Sequence, residues 1–263
     1  MNQEIRLIDT HCHLDFPEFN LDIEKVIKRA KDNGIDFIVN IGSSLEGSKR
    51  SIELAKKYDF IYATVGLHPH YTQDFNKEVR LSLYDLARED KVVAIGEIGL
   101  DYFGDVPEPE KQKELFVELI GLAKDLNLPL IIHNRQAWND ILRILKDNLP
   151  LKAVFHCFSG DETFLKECLN LGFFVSFTCN ITYKKADNLR RLVKLTPLER
   201  IFLETDAPFL PPEGLRGKRN EPMYIRMLAE EIARIKGISL AEVGKITTDN
   251  ALRFFKIKNN YGF

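Results

Sequence analysis

The six histidines of this chain, His11, His13, His68, His70, His133 and His156, each stand at or just past the end of an apolar run that reads as a β-strand. Glu97 and Asp206 occupy equivalent places in two further runs. Imidazole and carboxylate together form the donor set of borderline divalent cations, so side chains gathered from separate strand ends point to a metal centre. Within DTHCH, the two-residue period of a strand puts His11 and His13 on one side and Cys12 on the other, toward surrounding helices. Glu97 lies in AIGEIGLDY, an apolar setting where a carboxylate needs cations or hydrogen bonds to offset desolvation. The plain alternative for Glu97 is a buried salt bridge to a lysine or arginine. His133 in PLIIHNRQA and His156 in AVFHCFSG end successive apolar runs, which favours ligation over two satisfied core histidines. Asp206 in IFLETDAP completes the set from the last strand, and Glu204 stands two residues earlier on the same side.

The elements that must position these groups follow from alternation of short β-rich runs with helix-length amphipathic segments. Eight such runs are legible: Arg6 to His11, Asp36 to Ile41, Ile61 to Leu67, Val92 to Ile98, Pro129 to His133, Ala153 to Phe158, Phe173 to Phe177 and Ile201 to Thr205. The segment Asp22 to Asn33 carries an apolar stripe of Ile23, Val26, Ile27 and Ala30 and stops at Gly34. Glu110 to Asn127 repeats the pattern at greater length. Two more helices, about Glu221 to Lys236 and Ser239 to Phe255, follow the eighth run, the second opening on a capping box of Ser239 and Glu242. The expected fold class is α/β, a (β/α)8 TIM barrel with additional C-terminal helices, forming one domain over residues 1–263. The length of 263 residues is close to the roughly 250 typical of that barrel. Pro208 to Pro222 reads as a functional loop over the barrel mouth.

Composition narrows the function. With 37 basic and 39 acidic residues the formal charge is -2, so no global positive field draws the protein onto polyanions and any nucleic-acid contact is local. Four cysteines without a CxxC pair fit a reducing compartment better than a disulfide scaffold. The start enters a strand at once, without a leader-like apolar stretch, and no apolar run approaches the ~20 residues of a membrane span. A soluble, cytoplasmic protein is expected, with no membrane association and no obligate protein partner.

DTHCHLD, GLHPH, GEIGLDY, PLIIHNR, VFHCFSG, ETDAPFL and RNEP, in this order and spacing, resemble the TatD-type metal-dependent deoxyribonucleases of the amidohydrolase superfamily. The resemblance runs from about Leu7 to Pro222. It implies one ion on His11, His13, Glu97 and Asp206, and a second on Glu97, His133 and His156, with Glu97 bridging. It also implies 3′-5′ exonuclease or general DNase activity on DNA, single-stranded or at 3′ ends. The cofactors would be two divalent metal ions, drawn from Mg, Mn, Zn, Co and Ni.

Two metals about 3.5 to 4 Å apart can stabilise both the attacking and leaving oxygens of an in-line displacement at phosphorus. In that reading Asp206 is the candidate base as well as a ligand. Glu204 either orients the attacking water or relays its proton, or else hydrogen-bonds behind a ligand. His68 is a candidate donor to phosphate or leaving group, and His70 a loop cap. Arg135 could clamp a phosphate with its planar fork, and Arg219 and Asn220, with Arg216 and Lys218, form a cationic loop suited to a nucleic-acid backbone. Phe16, Tyr102, Phe103 and Phe158 at loop ends are candidate base-stacking residues. The alternative function is a dinuclear amidohydrolase or lactonase acting on a small substrate, since the barrel alone does not fix the chemistry. A non-enzymatic metal-storing or protein-binding scaffold is a third reading, and it leaves the gathering of ligands, acid/base candidates and a basic loop without a purpose.

Overall fold

A computed structural model of the protein describes residues 5–258. Eight parallel strands follow one another in chain order: β1 (Leu7–Cys12), β2 (Ile35–Asn40), β3 (Ile61–Val65), β4 (Val92–Asp101), β5 (Leu130–Arg135), β6 (Ala153–Phe155), β7 (Phe174–Phe177) and β8 (Ile201–Leu203). Helices α1 (Ile23–Asp32), α2 (Leu45–Lys57), α3 (Lys77–Leu86), α4 (Pro109–Leu126), α5 (Trp138–Asp147), α6 (Glu162–Asn170) and α7 (Asp187–Leu195) return the chain between strands. Then α8 (Ile225–Lys236) and α9 (Leu240–Phe255) follow β8. This is the (β/α)8 barrel with added C-terminal helices that the alternating pattern predicts.

Local chemistry sets the boundaries. Gly34 takes a φ of 81° just past α1, the left-handed turn that a C-terminal glycine supplies without steric cost. The Ser239 Oγ accepts from Glu242 N at 3.1 Å and so opens α9. The first of the two C-terminal helices starts later than its sequence period suggests, because Pro222–Tyr224 forms a short 3-10 turn before α8. Strands β6 and β8 also end earlier than their apolar runs. After Phe155 the chain turns through Cys157, φ 44°, and after Leu203 it turns through Asp206, φ 55°. By contrast β4 runs past Ile98 to Asp101, with all ten residues buried.

The seam between β8 and β1 is closed partly by side chains. Asp206 N donates to His11 O at 2.8 Å, and His13 N donates to Ala207 O at 2.8 Å. Thr10 Oγ1 donates to Leu203 O at 3.0 Å. The wholly buried Asp9 carboxylate accepts from Thr205 N at 2.9 Å and from Thr205 Oγ1 at 2.5 Å. These bonds fix Asp206 against His11 and His13, so the closure of the barrel also sets part of the site. Toward the strand N-termini, Phe254 of α9 packs edge-on against Phe174 and Phe202, and Asn250 Nδ2 donates to Leu198 O and Ile201 O. That end is sealed by packing. All four cysteines are free thiols.

Residues 208–222 are strapped to the first βα loop. The Arg219 fork donates to both Asp22 oxygens at 2.7 and 2.8 Å and to Glu221 at 2.9 Å, while Arg29 donates to Glu221 at 2.7 Å. Asn220 is fully buried, its amide donating to Thr205 O, Phe209 O and Leu210 O. Both therefore depart from their expected substrate-binding role: the guanidinium fork is already satisfied by carboxylates, and the amide is a clamp on its own loop. Hydrogen bonds from Arg219 hold the Asp22 carboxyl down to about 2 from an ordinary value of 3.8. A carboxyl depressed on folding stabilises the native state above the unfolded-state value, and that contribution is lost as pH falls through the folded one. We expect Asp22→Asn to cost on the order of 1 kcal/mol at pH 7. In urea titrations the gap to the parent protein should shrink as pH falls from about 4 toward about 2; a constant gap contradicts the strap.

Candidate metal centre

Six side chains from five strand ends converge at the C-terminal face of the barrel. The Glu97 carboxylate stands at their middle, with its two oxygens facing different neighbours. Oε2 lies 3.7 Å from His11 Nε2 and 3.8 Å from His13 Nε2. Oε1 lies 2.8 Å from both His133 Nδ1 and His156 Nε2, which are themselves 3.1 Å apart. Asp206 Oδ1 faces the first cluster, 3.7 Å from His11 Nε2 and 3.6 Å from His13 Nε2. Three overlapping groups can each offer ligand atoms within 4.8 Å of one another: His11, Glu97 and His156; His11, His13 and Asp206; His68, Glu97 and His133. The third brings in His68, which the resemblance leaves outside the ligand set.

These residues fit a divalent ion. Bonds of about 2.0 to 2.2 Å place neighbouring donors roughly 3 to 3.5 Å apart around a small cation; the first cluster, at 3.3 to 3.8 Å, and the second, at 2.8 to 3.1 Å, bracket that spacing. His133 stands between two carboxylates, with Nε2 3.2 Å from Asp101 Oδ2 and Nδ1 2.8 Å from Glu97 Oε1. With Nε2–H donating to Asp101, a neutral His133 would offer its Nδ1 lone pair to a cation beside Glu97. Burial works against a charged Glu97, yet the charge of His156 and the hydrogen bonds of His133 and His156 outweigh it and hold the carboxyl well below the usual range.

The backbone is shaped to allow this approach. A Cβ on Gly96 would lie 2.6 Å from the Ile131 Cβ, and one on Gly99, at φ 143°, would lie 2.0 Å from the His133 carbonyl oxygen. Glycines on either side of Glu97 thus let β4 press against β5, which carries His133. Two non-glycine residues of the site, Cys157 and Asp206, hold left-handed backbone that costs of order 1 to 3 kcal/mol each. Such strain persists where surrounding bonds fix it. Here the Cys157 N–H donates to Glu204 Oε1 at 2.6 Å, and the Asp206 N–H to His11 O.

Glu204 differs from the water-orienting reading. Its Oε1 takes the Cys157 amide and lies 3.6 Å from His156 Nδ1, and its Oε2 accepts from Ser176 Oγ at 2.5 Å. A fully buried carboxylate so engaged orients His156 from behind and has no path to a water at the mouth. His68 stands nearer the chemistry. Its Nδ1 accepts from His70 N at 3.2 Å, which leaves Nε2 as the donor, 3.7 Å from Glu97 Oε1. Burial pushes its pKa down to about 3, so the ring is neutral. Arg135 is exposed beside the mouth, its guanidinium 3.7 Å from the centre of the Phe103 ring. Phe158 is buried, and Tyr102 is half-buried with its hydroxyl donating to Asp140.

Asp101 is the residue that sequence reasoning overlooks. It is 1% exposed, and its Oδ2 receives His133 Nε2 at 3.2 Å and His70 Nε2 at 2.9 Å. His70 is therefore tied to Asp101 and does more than cap its loop. The signal was the two-residue period: Glu97, Gly99 and Asp101 share one face of a strand read as ending at Ile98. A carboxylate behind a histidine fixes its tautomer and ring orientation, and losing it costs 10- to 100-fold in metal affinity in comparable sites. We expect Asp101→Asn to weaken divalent-ion binding by roughly that factor in calorimetric titrations while the protein still folds; unchanged affinity contradicts the assignment.

The sequence profile of the family described as TatD related DNase matches residues 8–256. A metal-dependent hydrolase of Bacillus subtilis, YabD, uncharacterised in its description, is 43% identical, the match covering 95% of this chain and 99% of that one. A protein of Erwinia tasmaniensis named 3′-5′ ssDNA/RNA exonuclease TatD is 36% identical over 95% of this chain and its own full length. Among solved structures, the TatD homologue YJJV of Escherichia coli superposes with a TM-score of 0.92 at 34% identity, covering 97% of this chain and 99% of that one. With the profile spanning the barrel from β1 to α9, the chain belongs to the TatD-related DNase family of metal-dependent hydrolases.

Proposed function

We propose that residues 1–263 act as one hydrolase domain that cleaves phosphodiester bonds of single-stranded DNA from the 3′ end, with Glu97 shared between two divalent ions. The observation that carries this reading is the division of the Glu97 carboxylate, Oε1 toward His133 and His156 and Oε2 toward His11 and His13. The Erwinia relative named as a 3′-5′ ssDNA/RNA exonuclease supports the choice of substrate. Bound divalent ions supply Lewis-acid stabilisation of charge developing on the phosphoryl oxygens and lower the pKa of water.

The protein's own residues do the rest. His11 and His13 are held by β1 and the barrel seam, so their Nε2 atoms keep a fixed separation of 3.3 Å. Asp206, with its side chain 14% exposed, is the carboxylate at the centre that reaches solvent most readily and is placed to accept the proton of an attacking water. The neutral His68 Nε2–H is directed to donate a hydrogen bond to the departing oxygen or to a phosphoryl oxygen. The exposed Arg135 fork is available to a neighbouring phosphate. Glu204 and Asp101 act through His156 and His133, holding the two rings in place.

Among the described residues no helix is long and apolar enough to cross a membrane. The reading takes the protein to work in the cytoplasm without an obligate protein partner. Its test is digestion of an end-labelled single-stranded oligonucleotide, with Mg, Mn, Zn, Co or Ni added back to chelated protein. We expect stepwise shortening from the 3′ end, and Asp206→Asn to lower the rate by about 10²- to 10⁴-fold, as loss of a general base does. Hydrolysis of amides or lactones with DNA left intact would contradict the assignment.

A further inference from the structure

Aromatic side chains are buried or half-buried throughout the described residues with three exceptions: Tyr71, Phe103 and Phe209, exposed by 41%, 48% and 48%. All three stand on loops that follow strands, Tyr71 after β3, Phe103 after β4 and Phe209 after β8. In a parallel barrel those loops share the face that carries the metal centre. Each residue is linked to that centre, Phe209 through its ring, Phe103 through its backbone and Tyr71 through its chain neighbour. Phe209 lies 6.2 Å from His13 and 6.0 Å from Phe16, between ring centres, and Phe16 stacks on His13 at 4.6 Å. The Phe103 amide donates to Asp101, which holds His133. Tyr71 follows His70, whose ring packs on His68 at 4.5 Å.

Strand order places Phe209 near the β8–β1 seam, and Phe103 about half a turn of the barrel away. Glu97 and its two donor clusters lie between them. A ligand that rewards this layout is anionic at its centre and flat and apolar on both sides. The Arg135 guanidinium stacked on Phe103 adds a cation at one rim, in a chain of net charge -2. Nucleotides joined by a phosphodiester have that character; a small amide or lactone has no use for two separated aromatic shelves.

We propose that Phe209, backed by Phe16, and Phe103, backed by Arg135, are base-stacking subsites for the nucleotides on either side of the scissile phosphate. The inference rests on the nuclease reading and deepens it. Stacking within a duplex covers the faces of the bases, so these shelves select a strand whose bases are free to unstack.

The test uses fluorescence anisotropy with a phosphorothioate-linked thymidine hexamer and with a strand of equal length carrying abasic sites. Phe103→Ala and Phe209→Ala should each weaken hexamer binding by about tenfold while leaving affinity for the abasic strand nearly unchanged. Phe209→Trp should restore hexamer binding, and thermal melts of all variants should overlay the parent's, because the rings are half exposed. Equal loss on both strands, or no loss on the hexamer, overturns the stacking assignment while the nuclease reading stands if the parent still shortens DNA. A parent protein that neither binds the hexamer nor cleaves a normal strand overturns both.

Discussion

Glu97 is a buried carboxylate, 4% exposed, whose ion-pair partners are five histidines: His11, His13, His68, His133 and His156. Removing a carboxylate from water costs several kcal/mol unless positive charge replaces the lost hydration. The histidines meet this demand unequally: despite burial, the nearby carboxylates push His133 and His156 upward toward their charged forms, while burial pushes His11 and His68 toward the neutral form. For His11 burial and the charge of His156 push the pKa well below its ordinary value. A divalent cation would take the place of those protons, since it binds neutral imidazoles and an ionised carboxylate together. The rest of the site follows from supplying and aiming these groups.

Position within the barrel is divided between two ends. At the strand N-termini, α9 closes the fold with Phe254 and Phe255 and with the Asn250 amide bonded to Leu198 and Ile201 carbonyls. At the other end the backbone tolerates glycines, left-handed residues and exposed aromatic rings. Those features destabilise locally and are held by the stable end. The arrangement matches the general separation in such barrels, with packing at one face and chemistry on the βα loops of the other. The strap of Arg219, Asp22, Arg29 and Glu221 belongs to the chemical face, where it fixes the loop bearing Phe209 against α1.

Much of this was legible in the sequence because it depends on short-range pattern. Apolar runs alternating with amphipathic segments indicate the barrel, and the strand period puts His11 beside His13 and Cys12 away from them. The converging donors were readable as residue types at strand ends. What escaped depends on contacts between distant segments. Arg219 looked like a free cation in a basic loop, yet Asp22, 197 positions away, takes its fork. Asn220 looked like a polar contact for substrate, and its amide instead satisfies carbonyls of its own loop. Glu204 was correctly placed near the ligands, but only its bonds to Ser176 and the Cys157 amide show that it stands behind His156. Asp101 was missed because β4 continues three residues beyond its apolar run, where glycine and acid give no hydrophobic signal.

The central claim is that one carboxylate serves two cation sites. It is tested most directly by anomalous diffraction from crystals of the purified protein soaked in manganese or zinc. We expect two peaks per chain, separated by about 3.5 to 4 Å and lying on opposite sides of the Glu97 carboxylate. A single peak, or density only at surface carboxylates with the Glu97 pocket empty, would contradict it.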